Sequence, residues 1–152
     1  MVVAKAYVDG SFNPSINKYA FGCVLFHPTG QIEELCGSGD SPDALQQRNV
    51  AGEMIASMLA VKWAIVNEYE AIDIFYDYSG IEAWVTGAWK AKNDLTKKYR
   101  DFMQSKQSIV QINFHKVAAH TNDTYNERAD KLAKEGLERP VGLPEITKLK
   151  VN

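Results

Sequence analysis

The chain has 152 residues, a length that suits one domain around a single core. Apolar residues make up 45% and charged residues 24%, as in ordinary globular proteins, and no apolar run is expected to span a membrane. The net charge of −2 disfavours a strongly basic nucleic-acid-binding protein. Cys23 and Cys36 lack metal-ligand spacing, and the N-terminus lacks a signal-peptide pattern. These features predict a cytoplasmic protein with reduced cysteines.

The first third of the chain predicts an antiparallel meander of three strands. Residues 3–9, 19–27 and 31–38 are rich in apolar and β-branched side chains. Turn residues separate them, at Gly10 to Asn17 and again at Pro28 to Gly30. Residues 40–43 follow as a polar loop.

The rest of the chain predicts alternating helices and strands. Met54, Met58, Val61 and Ile65 recur every three or four residues and indicate one buried helix face, with Asn49 as the N-cap. The further predicted elements are a strand at 71–77, helices at 81–88 and 93–106, a strand at 110–117 and a helix at 126–137. This order predicts an α/β fold with a mixed sheet. Residues 1–137 form the predicted domain, and residues 138–152 a tail that is either an edge strand or disordered.

Four acidic residues stand at the ends of these elements. Asp9 ends or interrupts an apolar strand, and Asp77 ends another. Glu53 lies in the first turn of the long helix among apolar neighbours, and Asp130 lies in the first half of the last helix. A buried carboxylate is costly unless it is paired or binds a cation. Several carboxylates from separate elements suit Mg²⁺ and phosphodiester chemistry. Taken singly, each acid is better explained by an exposed surface position.

Basic residues are concentrated in one short central stretch. They indicate either a local basic face or an ordinary solvated helix surface, and the sequence leaves both open. The stretch contains Lys90, Lys92, Lys97, Lys98, Arg100 and Lys106.

Four sequence blocks in the right order resemble type 1 ribonuclease H over nearly the whole chain. Each block is weak alone, but each falls on the expected element. They are residues 7–11 (YVDGS) followed by Asn13 and Pro14, residues 49–53 (NVAGE), residues 74–79 (IFYDYS), and residues 117–120 (VAAH) with 126–133 (NERADKLA).

The resemblance implies a fold, a reaction and roles for the acids. The sheet would have the order 3-2-1-4-5 with strand 2 antiparallel, and flanking helices. The enzyme would be an endonuclease that hydrolyses the RNA strand of RNA–DNA hybrids with two Mg²⁺ ions, Mn²⁺ substituting, and leaves 5′-phosphate and 3′-hydroxyl ends. Asp9 would bridge both metals, Glu53, Asp77 and Asp130 would complete their coordination, and His120 would assist proton movement or product release.

The resemblance also implies contacts to the substrate. Asn13, Asn49 and Asn126 match positions that touch the hybrid, and Ser11 is a further candidate, although asparagine is also common in turns and caps. The hybrid is the implied partner, with no membrane, no obligate protein partner and a monomeric state.

The residues of these blocks resemble those of a Firmicute-like bacterial branch of the family. Many members of that branch carry a small N-terminal hybrid-binding domain, which is not expected here. The basic protrusion of some bacterial members is expected to be shortened, to residues 89–92. Trp84 and Trp89 either pack in the core or contact the DNA strand, and core packing is expected for at least one. His27 and His115 receive no role.

Two other functions on the same fold remain open at this stage. A non-catalytic hybrid-binding module would gain nothing from four mutually repelling carboxylates. A nuclease for branched DNA would share the acids, but the Asn126 to Asp130 block and His120 favour ribonuclease H.

Overall fold

A computed structural model of the protein describes residues 1–118 and 124–149. Its elements follow the predicted order, with one additional short helix. They are β1 (Val3–Asn13), β2 (Lys18–Phe26), β3 (Ile32–Gly39), α1 (Pro42–Leu45), α2 (Asn49–Val66), β4 (Ala71–Tyr76), α3 (Gly80–Thr86), α4 (Asp94–Lys106), β5 (Gln111–Lys116) and α5 (Thr124–Gly136).

The five strands form one mixed sheet in the order β3-β2-β1-β4-β5. Strand β2 is antiparallel to β1 and β3, whereas β4 is parallel to both β1 and β5. Helix α2 packs on β1, β2 and β4 on one face of the sheet, and α5 packs on β1, β2 and β3. The predicted α/β fold, strand order and antiparallel second strand are therefore confirmed.

Helix α2 is buried on more than the one predicted face. Met54 and Val61 are buried and Met58 and Ile65 partly buried, but so are most residues between them. The reason is that α4 also packs against α2, with Tyr99 and Met103 in the same core. By length and composition alone α2 could cross a membrane, so the expectation of no such run is wrong on those criteria. Core helices of soluble proteins pass the same test, and 61% of this one is buried.

The predicted start of α2 is wrong in detail. Asn49 is the first helical residue, and Arg48 occupies the cap position at φ 53° with no side-chain cap bond. The N–H of Val50 bonds to the carbonyl of Gln47 at 3.1 Å, and that of Ala51 to the carbonyl of Arg48 at 3.2 Å. A turn that follows α1 thus satisfies these donors by backbone alone. Helix α1 itself replaces part of the predicted polar loop, with a proline in its first turn.

Both main helices approach the strands backbone to backbone at glycines. A Cβ atom on Gly52 of α2 would lie 1.9 Å from the carbonyl oxygen of Ala20, and one on Gly10 would lie 2.0 Å from that of Asn49. A Cβ atom on Gly22 would lie 2.6 Å from the carbonyl oxygen of Ala129 in α5. Any side chain at these positions would push a helix away from β1 and β2.

Residues after α5 return over the domain. Gly142 forms an isolated antiparallel bridge with Ser38 of β3, and its N–H donates to the Ser38 carbonyl at 3.0 Å. Farther on, the N–H of Leu149 donates to Asn67 at the end of α2 at 2.7 Å, and Ile146 packs against the core. The division of the chain at residue 137 stays a prediction.

His27 forms a buried hydrogen-bond cluster at the opposite end of the sheet from Asp9. Its ring nitrogens bond to the Tyr69 hydroxyl and the Glu33 carboxylate, and Trp63 Nε1 donates to the same carboxylate at 3.1 Å. Because a carboxylate only accepts, His27 Nε2 donates to Glu33. The cluster joins the β2–β3 hairpin to α2 and to the loop before β4.

We expect His27→Ala to lower the free energy of unfolding by about 2–4 kcal/mol, since it opens a cavity and leaves the partly buried Tyr69 hydroxyl and Glu33 carboxylate without this hydrogen-bond partner. The matched control is His115→Ala, whose ring is 46% exposed and bonds to Asp73 at 3.2 Å. It should cost less than about 1 kcal/mol. Urea unfolding measures both, and equal losses would contradict a structural role for the buried cluster.

Candidate active site

Asp9 and Asp77 lie side by side where β1 passes the carboxyl end of the parallel strand β4; β1 continues to Asn13, so the predicted strand end at residue 9 and turn from Gly10 are wrong. Tyr7 of β1 pairs in register with Phe75 of β4, and the two rings stack with centroids 4.6 Å apart. Each aspartate follows two residues later in its chain, so both continue the same face of the sheet. The sequence prediction that they adjoin each other is therefore supported by the strand register.

Glu53 reaches this sheet edge from helix α2. The glycine contact at Gly52 brings the first turn of the helix against β1 and β2, and Glu53 is buried with 3% of its surface exposed. Its carboxylate accepts hydrogen bonds from the backbone N–H groups of Tyr78, at 2.9 Å, and Asp77, at 3.4 Å. Glu53 therefore also holds the turn that follows β4.

Asp130 approaches Asp9 from helix α5. Its side chain is about half exposed, and Lys134 one turn later pairs with it at 3.0 Å. Asp130 acts on Asp9 by both charge repulsion and a side-chain hydrogen bond. All four predicted carboxylates thus come from separate elements to one edge of the sheet.

The buried acids of this group hold their protons more tightly than free carboxylates. Burial is the largest of the causes that together raise the pKa of Asp9 to about 7; the charges of Asp130 and Asp77 add to it, and the hydrogen bond from the Gly10 N–H opposes it. The pKa of Glu53 is likewise raised to about 8, chiefly by burial and also by repulsion from Asp9 and Asp77, while the hydrogen bonds from the Tyr78 and Asp77 N–H groups oppose the rise. The negative charges at this edge are therefore poorly compensated by the described protein groups.

An open pocket of about 210 Å³ contains three of the four acids. Of the predicted substrate-binding residues only Asn49 lines it, among the described residues. Its lining is Asp9, Asn49, Val50, Glu53, Asp77, Tyr78, Ser79, Trp89 and Lys116.

The other predicted site residues lie around the pocket or outside the description. Ser11 and Asn13 continue β1 beyond Asp9, and Asn13 Oδ1 accepts the N–H of Ser15 at 2.9 Å in a local turn. Asn126 lies partly buried in the first turn of α5. His120 is among residues 119–123, outside the described residues.

Lys116, Ser79 and Tyr78 line the pocket and were not singled out from the sequence. Lys116 ends β5 in register with Tyr76, and its Nζ donates to Ser79 Oγ at 2.7 Å. The one usable signal was the position of Lys116 at the carboxyl end of a strand, next to β4. Such an end collects ligand-binding groups in α/β sheets.

The two tryptophans have different environments. Trp84 is buried with 8% exposed, as expected for at least one of them, whereas Trp89 is 42% exposed. Trp89 packs edge-on against Trp84 and Tyr78, with centroids 6.0 and 5.8 Å away. None of the six basic residues at positions 90–106 lines the pocket, and Arg100 pairs with Asp101 at 2.9 Å.

The donor set fits hard divalent cations. All four side chains offer carboxylate oxygens, the ligands that Mg²⁺ prefers, and two of them have raised pKa values that a cation would relieve. Across residues 1–118 and 124–149, no three acidic, histidine or cysteine side chains already stand in a metal-binding arrangement. Glu53 and Asp130 instead bond to backbone N–H groups and to Lys134, respectively.

Comparison with known proteins agrees with this geometry. The RNase H family model matches residues 3–138. The ribonuclease H of Cupriavidus metallidurans is 31% identical over 138 residues, covering 86% of this chain and 92% of that protein. The ribonuclease H of Cupriavidus necator is 29% identical over 140 residues, covering 87% of this chain and 93% of that protein.

Solved structures show the same likeness. RNase H1 from Halobacterium salinarum NRC-1 superposes with a TM-score of 0.72 at 26% identity, covering 90% of this chain and 98% of that one. LC11-RNase H1, solved in complex with an RNA/DNA hybrid, shares the fold with a TM-score of 0.70 at 18% identity over 89% and 96%. The chain therefore belongs to the RNase H family, and it is an enzyme of the ribonuclease H class.

We expect Asp9→Asn to stabilise the protein at pH 8 in EDTA by about 1–3 kcal/mol. Because the folded-state pKa of Asp9 is raised from 3.8 to about 7, the folded chain binds more protons than the unfolded chain between these values. Stability therefore falls as pH rises through that window, and the amide removes the loss. Thermal unfolding of both proteins at pH 4 and pH 8 measures this difference in stability.

The gain should shrink toward zero at pH 4, where the aspartate is protonated in the folded state. Asp101→Asn is the control, since that side chain is 66% exposed, and it should show no comparable gain with pH. An Asp9→Asn protein that is less stable than wild type at pH 8 would contradict the account.

Gly52→Ala tests the backbone contact that positions Glu53. Helix propensity alone would make this change stabilising by about 1 kcal/mol. The new Cβ atom would meet the Ala20 carbonyl at 1.9 Å, so we expect a loss of about 2–4 kcal/mol instead. Chemical denaturation of Gly52→Ala and wild type shows whether the free energy of unfolding rises or falls. Unchanged or increased stability would show that α2 does not depend on this contact.

Proposed function

We propose that this enzyme hydrolyses the RNA strand of RNA–DNA hybrids as an endonuclease that uses two divalent cations. The products would carry 5′-phosphate and 3′-hydroxyl ends. The observation that supports this most is the meeting of Asp9, Glu53, Asp77 and Asp130 at one edge of the sheet in a chain of the RNase H family.

In this proposal the four carboxylates hold the cations. Asp9, Glu53, Asp77 and Asp130 would hold two Mg²⁺ ions, with Mn²⁺ as a substitute. Such ions would supply Lewis-acid chemistry, which favours ionisation of a water molecule and offsets negative charge on a phosphate. The pocket suits this chemistry because its acids are mutually repelling and partly shielded from solvent.

The protein itself contributes position and proton control. Glu53 holds the backbone N–H groups of Asp77 and Tyr78, so it fixes the second aspartate relative to the first. Lys134 restrains the Asp130 carboxylate from the next turn of α5. We propose that His120, outside the described residues, moves protons or assists product release.

The proposed substrate class follows the family. LC11-RNase H1 has been solved with an RNA/DNA hybrid, and a related pocket would serve the same ligand here. Ser11, Asn13, Asn49 and Asn126 are proposed to contact its backbone. Binding through phosphates and sugars should be salt-sensitive and nearly independent of base sequence.

The cellular setting is also a proposal. We place the enzyme in the cytoplasm as a monomer that needs no obligate protein partner and no membrane. The Firmicute-like branch within the family is likewise proposed from the wording of the sequence blocks.

We expect the protein to cut the RNA strand of a hybrid in Mg²⁺ or Mn²⁺, and to leave duplex DNA and branched DNA intact. Asp77→Asn should lower the rate by about a hundredfold or more, since it removes a charged cation ligand. Strand-specific end labels report which strand is cut.

Asp73→Asn provides a matched control from the same strand and sheet face. Asp73 accepts hydrogen bonds from Asn113 and His115 outside the pocket, and its amide can still accept one. It should cut at nearly the wild-type rate. Equal rates for Asp77→Asn and wild type would disprove the mechanism, and cutting of branched DNA would point to a different nuclease.

A further inference from the structure

Lys116 is the one basic residue among the described residues that line the carboxylate pocket. It is the last residue of β5 and lies in register with Tyr76, directly before Asp77. Its position is therefore set by the same parallel strand pairing that places the second aspartate. The ammonium group faces the pocket from the side of the sheet edge opposite to β2.

Ser79 holds the Lys116 side chain in this place. Ser79 is the N-cap residue of α3, where a serine hydroxyl ordinarily accepts a backbone N–H of the helix. Here its side chain makes no cap bond, and Oγ accepts a hydrogen bond from Lys116 Nζ at 2.7 Å. The Ser79 hydroxyl thus bonds to Lys116 of β5 instead of capping α3.

The positive charge of Lys116 is not neutralised within the described part of the chain. Asp9, Glu53 and Asp77 line the same pocket, yet none of them forms an ion pair with Nζ. An ammonium group has three protons to donate, and Ser79 takes one. Two donors and a full charge remain for a ligand that enters the pocket.

A phosphodiester backbone is the ligand that this arrangement fits. A lysine binds phosphate as a compact point charge, and a negative backbone approaching three carboxylates needs positive charge beside them. Cations at the acids would act on the phosphate that is cut. Lys116 and Ser79 are in contact in the lining of the same pocket as the acids, so a backbone phosphate next to the one that is cut would lie within reach of Nζ.

We propose that Lys116, held by Ser79, binds a backbone phosphate of the hybrid next to the one that is cut, and so positions the substrate over the carboxylates. This rests on the proposed function. Lys116 is then a positioning residue, and it sets substrate affinity rather than the rate of the chemical step.

The test compares Lys116→Ala, Lys116→Arg and Ser79→Ala with Lys148→Ala. Lys148 is an exposed lysine that pairs with Glu68, and neither residue lines the pocket. Lys148→Ala therefore controls for the loss of one surface charge. For each protein, kcat and KM on a labelled hybrid are measured in Mg²⁺ at several salt concentrations. Fluorescence anisotropy measures hybrid binding in parallel, without turnover, in EDTA.

We expect Lys116→Ala to raise KM and weaken binding about tenfold, with kcat within twofold of wild type. The slope of log affinity against log salt should fall by about one, because one phosphate contact is lost. Lys116→Arg should restore most of the affinity, and Ser79→Ala should show a smaller loss in the same direction. Lys148→Ala should resemble wild type.

Unchanged KM and binding in Lys116→Ala, or the same small change as in Lys148→Ala, would overturn the inference. A fall in kcat with KM intact would also overturn it, because Lys116 would then act at the reacting phosphate. A wild-type protein that never cuts the hybrid would instead contradict the proposed function. The anisotropy series still tests Lys116 in that case.

Discussion

The close approach of two helices to the backbone of β1 and β2 is the constraint on which the site depends. Gly10 and Gly52 let α2 touch the strands on one face, and Gly22 lets α5 touch them on the other. Each of these helix contacts places one acid close to Asp9 and Asp77, since Glu53 follows Gly52 directly and Asp130 follows Ala129. A helix displaced by one side chain would leave Asp9 and Asp77 without their partners.

This convergence works against folding stability. Packing and burial bring mutually repelling carboxylates together, and the raised pKa values of Asp9 and Glu53 record that cost. The same poorly compensated charge would be relieved by divalent cations, as the proposed function requires. The chain thus accepts a less stable edge of the sheet where its chemistry occurs, while the His27 cluster and the apolar core stabilise the rest.

The sequence predicted the features that depend on local order and the family motifs. Asp9, Asp77 and Glu53 stood out as acids beside apolar strand or helix residues, although β1 runs on past Asp9 to Asn13, and the motif blocks added the strand order and the roles of the acids. Asn49 as N-cap was wrong because backbone bonds from the preceding turn serve that end of α2. Lys116 and Ser79 were missed because their contact joins residues 37 positions apart, which no local pattern reveals. The charge of −2 also gave no sign that a lysine lies beside the acids.

Counting the cations bound to the folded enzyme tests the central claim most directly. The measurement is Mn²⁺ stoichiometry in the presence of a hybrid whose RNA strand carries deoxyribose at the cleavage position, for wild type and for Asp9→Asn. If Asp9, Glu53, Asp77 and Asp130 form one cation site, wild type should bind two ions per chain and Asp9→Asn fewer. Two ions bound equally by both proteins, or none by wild type, would contradict it.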